Sequence, residues 1–200
     1  MIAAAVAGAM ALAGFAGAAY SSATIDLIWD ATGTNVIDDA GPKTIQLNVI
    51  LTAGPNGSQG AGVSVDFRSI GESFLVVGLD TPLNTPSEGS DSVLPIEMDF
   101  PQIRGSRVEL INSVCFCDLG IGTGLEAGQS HQLGYVTFNI TLLERDTYEI
   151  TSDADGPSDG VLDGDANEIL PEDVTFNSAF LDINTPLDKR HPRGIRNRRR

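Results

Sequence analysis

Residues 152–168, SDADGPSDGVLDGDANE, hold five aspartates, one glutamate and three glycines within seventeen positions. Carboxylates crowded in this way repel one another, and a divalent cation relieves the repulsion. A twelve-residue calcium loop of the form D-x-[DN]-x-[DN]-G-x5-E sets oxygen ligands at alternate positions and a glycine at the bend. Counted from Asp153, Asp155 fits the third position, but Pro157 stands at the fifth. Counts from Asp159 and Asp163 fail elsewhere, so the strict pattern is absent.

A looser pattern survives when Pro157 and Ser158 are passed over, leaving D-A-D-G-D-G-V-L-D-G-D. It resembles the aspartate-rich calcium loops of thrombospondin type 3 repeats and, in part, of dockerin repeats. That resemblance implies Ca²⁺ held by Asp153, Asp155, Asp159, Asp163 and Asp165, with the weak affinity usual outside cells. The alternative is a solvated turn, in which Asp and Gly serve only as good turn formers. Acidic catalysis of the glycosidase kind needs two carboxylates facing each other in a cleft, which nothing in this run singles out.

Cys115-Phe116-Cys117 is the second constellation. On an extended strand the two Cα atoms would stand about 6.5–7 Å apart, the outer limit for a disulfide. Bending where the strand gives way to DLGIGTG would bring them closer. In an oxidising compartment a local bridge is the first expectation; two free thiols and a metal site are the alternatives. Redox catalysis usually employs C-x-x-C. His131 is the one histidine outside the C-terminal tail, and neither G-x-S-x-G nor H-E-x-x-H occurs, so nucleophilic and zinc-hydrolase chemistry find no support. Trp29, at the end of an apolar run, is expected in the core or an interface.

The charge balance narrows the partners. Seven of the twelve Lys and Arg fall in the last twelve residues, and all 27 acidic residues precede them. Residues 1–188 thus set five cations against 27 anions, a formal −22. Such a body repels phosphate backbones and favours cations, so nucleic acid is not an expected partner. Residues 1–23, uncharged and rich in Ala and Gly with two A-x-A-like sites, read as a secretory signal, with a retained membrane anchor or a soluble helix as the alternatives. A secreted or cell-surface location follows, with no membrane span in the mature chain. Residues 184–200, NTPLDKRHPRGIRNRRR, read as a disordered basic tail.

Between them, residues 24–183 form one domain in which short apolar runs alternate with Gly, Pro, Asn and Asp. Strands are expected over 24–29, 43–52, 63–67, 73–79, 93–100, 107–116, 132–143, 147–151 and 173–183, with 53–62 as a loop and 152–168 as a polar connection. Eight or nine strands without an amphipathic helix predict an all-β fold, a single antiparallel β-sandwich of jelly-roll or related type, because each half-apolar strand needs a facing sheet. A barrel is the alternative.

Two segments carry a family resemblance. KTIQLNVILTAGPNGSQGAGVSVDF (43–67), with Gly62, Val63 and Phe67, and LEAGQSHQLGYVTFNIT (125–141), with Gly128, Leu133, Val136 and Phe138, resemble cohesin-type and related carbohydrate-binding sandwiches. The resemblance implies a non-catalytic module for binding or adhesion, with a protein such as a dockerin, or a polysaccharide, as ligand. Residues 24–183 with the Ala/Gly-rich leader and the VTFNSA run (174–179) also resemble exported bacterial surface proteins of the PEP-CTERM sorting class, although no Pro-Glu-Pro precedes the arginine-rich end.

Overall fold

The computed structural model describes residues 22–30, 36–37, 43–70, 74–80, 93–94, 102–140, 144–156 and 159–184, with the backbone alone at 37, 43 and 74–80. The expected signal falls on residues that are otherwise undescribed up to 21, and the expected tail lies outside the described residues beyond 184. Thirteen strands occur among the described residues: β1 (Ala23–Trp29), β2 (Val36–Ile37), β3 (Lys43–Thr52), β4 (Ser58–Asp66), β5 (Phe74–Asp80), β6 (Gln102–Arg104), β7 (Arg107–Val114), β8 (Ser130–Ile140), β9 (Thr147–Asp153), β10 (Gly160–Asp163), β11 (Glu168–Ile169), β12 (Val174–Asn177) and β13 (Ala179–Ile183).

They form two facing sheets, a β-sandwich. The first runs β12-β1-β3-β8-β5, and the second β11-β10-β4-β9-β13-β2, with β7 paired to β4 and β6 to β7. Pairing is antiparallel except for β1 with β12 and β2 with β13. One edge of β4 takes β7; the other is shared, with β10 along residues 58–62 and β9 along 64–66.

Alternation drives this arrangement. Ile45, Leu47, Val49 and Leu51 of β3 face inward from the first sheet, and Val63, Val65, Ile150 and Leu181 meet them from the second, all buried. Each such side chain contributes about 1.5–3 kcal/mol by leaving water. Strict alternation would set Leu133 and Val136 of β8 on opposite faces, yet both are fully buried. A register shift between Val49 and Ile50 accounts for it: they pair with Gly134 and Gln132, so Leu133 is the extra residue of a bulge. Phe67 meets Phe138 edge to face at 5.0 Å between ring centres. Trp29 packs against this core and ties the layers together, its indole N–H donating to the Phe180 carbonyl at 2.9 Å.

Three expectations need correction. The run 173–183 is two strands, because the chain leaves the first sheet for the second at Ser178: β12 pairs with β1, and β13 with β9. That crossing shifts the inward phase, so Ala179, Leu181 and Ile183 are buried while Phe180 is half exposed. Residues 58–62, expected in a loop, are the first half of β4. The polar connection 152–168 holds most of the β10–β11 hairpin, which ends at Ile169 and whose Val161 and Ile169 enter the core. Of the expected broken strand over 93–100, only Val93 and Leu94 are described, and they form a bend.

Candidate functional site

The glycines of β4 shape the outer face of the second sheet. Register places Val114, Gly60, Leu162 and Glu168 in one cross-strand row and Asn112, Gly62 and Gly160 in the next. Side chains opposite one another on paired strands share a face, so the centre of both rows is bare. The result is a groove of ≈ 480 Å³, floored by glycine and walled by Val114, Asn112 and Phe116 on the β7 side and by Leu162 and Glu168 on the hairpin side. Gly60 has no substitute: its φ is +132°, and an added Cβ would stand 2.2 Å from the Ser113 carbonyl oxygen. Two non-glycine residues with left-handed backbone, Leu110 (φ 64°) and Ala166 (φ 61°), also line the groove. Leu110 lies where β7 bulges against β4, Val63 pairing with Ile111 and Val65 with Val108. Left-handed conformation costs a branched or bulky residue free energy and concentrates at sites of function.

The acidic residues divide among three places. Asp153 and Asp155 clasp Arg107: Nη1 donates to Asp153 Oδ2 at 2.7 Å, and Nη2 donates both to Asp153 Oδ1 and, at 2.7 Å, to Asp155 Oδ1. The hydrogen bonds from Arg107 to Asp153, foremost, hold the guanidinium well above its ordinary pKa. Asp163 is buried and closes the hairpin turn; its Oδ1 accepts the backbone N–H groups of Asp165 at 2.9 Å and Asn167 at 2.8 Å. Asp165, at the exposed tip, contributes that backbone donor.

Asp159 is placed otherwise. It lines the groove, and its Oδ2 accepts the Ser64 hydroxyl at 2.6 Å and the Gly156 N–H at 3.3 Å. Its Oδ1 is shut off from water and accepts no hydrogen bond. Burial pushes the Asp159 carboxyl above the ordinary range, against the opposing pull of Ser64 and Gly156. Among the described residues no group of three or more His, Cys, Asp and Glu side chains is set to hold a metal ion.

Cys115 and Cys117 are joined by a disulfide with Cα atoms 5.3 Å apart. β7 ends at Val114, and the 3-10 turn at Cys117–Leu119 draws the second cysteine back. Phe116 and Ile121 exchange backbone hydrogen bonds across the loop, at 2.9 and 3.2 Å. The stapled loop holds three apolar side chains outward beside the groove: Phe116 (42% exposed), Leu119 (75%) and Ile121 (40%). Exposed apolar residues grouped in this way mark interaction surfaces. Sequence reading missed the groove because Gly60-x-Gly62 looks like loop; glycine alternating with apolar residues was the available signal.

No protein-family model matches the chain, and no curated protein matches it. Solved structures do. A cohesin module of a family 33 glycoside hydrolase from Clostridium perfringens matches over 82% of this chain and 98% of its own, at 12% identity and a TM-score of 0.52. The third cohesin of ScaC from Acetivibrio cellulolyticus, solved with the ScaB dockerin, matches over 82% and 99%, at 13% identity and 0.53. A cohesin from Clostridium acetobutylicum, CaCohA2, matches over 82% and 92%, at 9% identity and 0.51.

Proposed function

We propose that this chain is an exported, non-catalytic binding module that takes a polypeptide partner on the outer face of its second sheet. The observation that carries the proposal is the glycine-floored groove running into the disulfide-stapled apolar loop. A partner's side chains would fill the groove while Phe116, Leu119 and Ile121 lose water against the rest of it. The cohesin-like fold supports this reading, since two of the matching cohesins were solved with dockerins bound. The residues lining the groove include two carboxylates but no histidine, lysine or free thiol to work with them, which favours recognition over chemistry.

The test is selection of ligands from displayed random peptides and from a glycan array, with the full chain and with a Phe116→Ser/Leu119→Asp variant. Both positions are solvent-facing, so the variant should melt within a few degrees of the parent. Peptide binding that the double substitution weakens at least tenfold supports the proposal. Binding confined to glycans would replace it with the carbohydrate reading, and peptide binding indifferent to the substitutions would move the site elsewhere.

A further inference from the structure

The charge in the groove identifies the kind of partner. Of its lining side chains only Asp159 and Glu168 are charged, and none is basic. They sit together on the hairpin side: Glu168 reaches over Gly160, where a Cβ would lie 3.5 Å from Glu168 Oε1, and Asp159 immediately precedes that glycine. The facing wall is apolar around Val114 and Phe116. The groove is therefore two-sided: both of its charges stand on the hairpin wall, and the β7 wall carries none.

The Asp159 charge is poorly compensated. Its two hydrogen bonds come from neutral donors, and its other oxygen is buried and accepts no hydrogen bond from the protein. Arg107 acts on it only through space and is already clasped by Asp153 and Asp155. A carboxylate stripped of water without a counter-charge raises the free energy of the unliganded protein. An arriving cation would lower it and leave the protein's own ion pairs intact.

We propose that the groove recognises a basic–apolar polypeptide segment of another protein, placing a lysine or arginine against Asp159 and Glu168 and an aliphatic or aromatic side chain against Val114 and Phe116. This rests on the binding-module reading above and deepens it. A cation–carboxylate contact that a docked partner covers is stronger than one at an open surface, and the apolar wall selects against strongly hydrated polar segments.

Selection of random dodecamer peptides on the full chain tests it. The expected result is enrichment of sequences carrying Lys or Arg within two residues of a large apolar side chain. A synthetic peptide of the enriched sequence should bind about tenfold more weakly to Asp159→Asn, more weakly still to Asp159→Asn/Glu168→Gln, and with falling affinity as salt rises. Replacing its basic residue by norleucine should have the same effect as the double substitution. Peptides without basic residues, or affinity unchanged in both variants, would overturn the inference while leaving the binding-module reading intact, provided the Phe116→Ser/Leu119→Asp variant still loses binding. If removing residues 185–200 raises peptide affinity tenfold or more, the chain's own basic tail is the occupant, and a separate basic partner is ruled out.

Discussion

The two outer faces of the sandwich solve the same problem in opposite ways. On the first sheet, Thr44 donates to Asn139 at 2.5 Å, Gln46 and Gln132 both donate to Asn48, at 2.9 and 3.2 Å, and Thr52 meets Ser130 at 2.8 Å. This ladder of neutral side chains satisfies itself across β3 and β8. On the second sheet the corresponding centre is glycine, and beside it stand apolar side chains, the amides of Gln59 and Asn112, and two carboxylates, one of which, Asp159, keeps a buried oxygen that accepts no hydrogen bond. A face whose polar groups already pair with one another gains little from a partner, whereas a bare, unbalanced face gains from both burial and charge. The difference supports the proposed placement of a binding surface on the second sheet.

Filling the floor should break the contrast most severely. Gly60→Val must place a branched side chain at positive φ against the Ser113 carbonyl, costing about 3 kcal/mol or more, read as a lower urea midpoint at unchanged slope. Arg107→Gln comes next. It leaves the half-buried Asp153 without its guanidinium, costing about 2 kcal/mol, and frees two carboxylates. Millimolar Ca²⁺ should then raise the melting temperature of the variant more than that of the parent; equal shifts would mean that the clasp does not compete with cations.

Asp159→Asn probes the unbalanced charge itself. Burial raises the folded carboxyl above its unfolded value, so the folded state binds the proton more tightly. Stability therefore declines as pH climbs from about 4 through the raised folded value, and the loss is complete above it. The asparagine variant should lack this decline and be the more stable of the two at neutral pH, as thermal melts between pH 4 and 8 would show. The smallest effect belongs to the first sheet: Asn48→Ala should cost less than about 1 kcal/mol and leave peptide affinity unchanged. A comparable loss of affinity there would dissolve the distinction between the faces.

Much of the frame was legible in sequence. β3 spans the residues its alternation predicts, and β1 and β8 differ from expectation by only a few residues, because period-two burial leaves a direct mark on residue order. The site was harder to read. Residues 58–62 look like loop by composition, yet they form a central strand whose outer face is empty so that the groove can exist. Asp153, Asp155, Asp159 and Asp163 look equivalent in sequence, but folding sends the first two to Arg107, the third into the groove wall and the last into a turn. Arg107 stands 46 residues from Asp153, and no local pattern announces such a pairing.

The sequence by itself determined the class of the fold, because strands that are apolar on one side can bury that side only against another sheet. Tertiary structure alone decided which carboxylate lacks a partner and which face is bare. Both depend on what stands across the strand or beyond the turn, and register and crossing points set those neighbours over separations that residue order does not record.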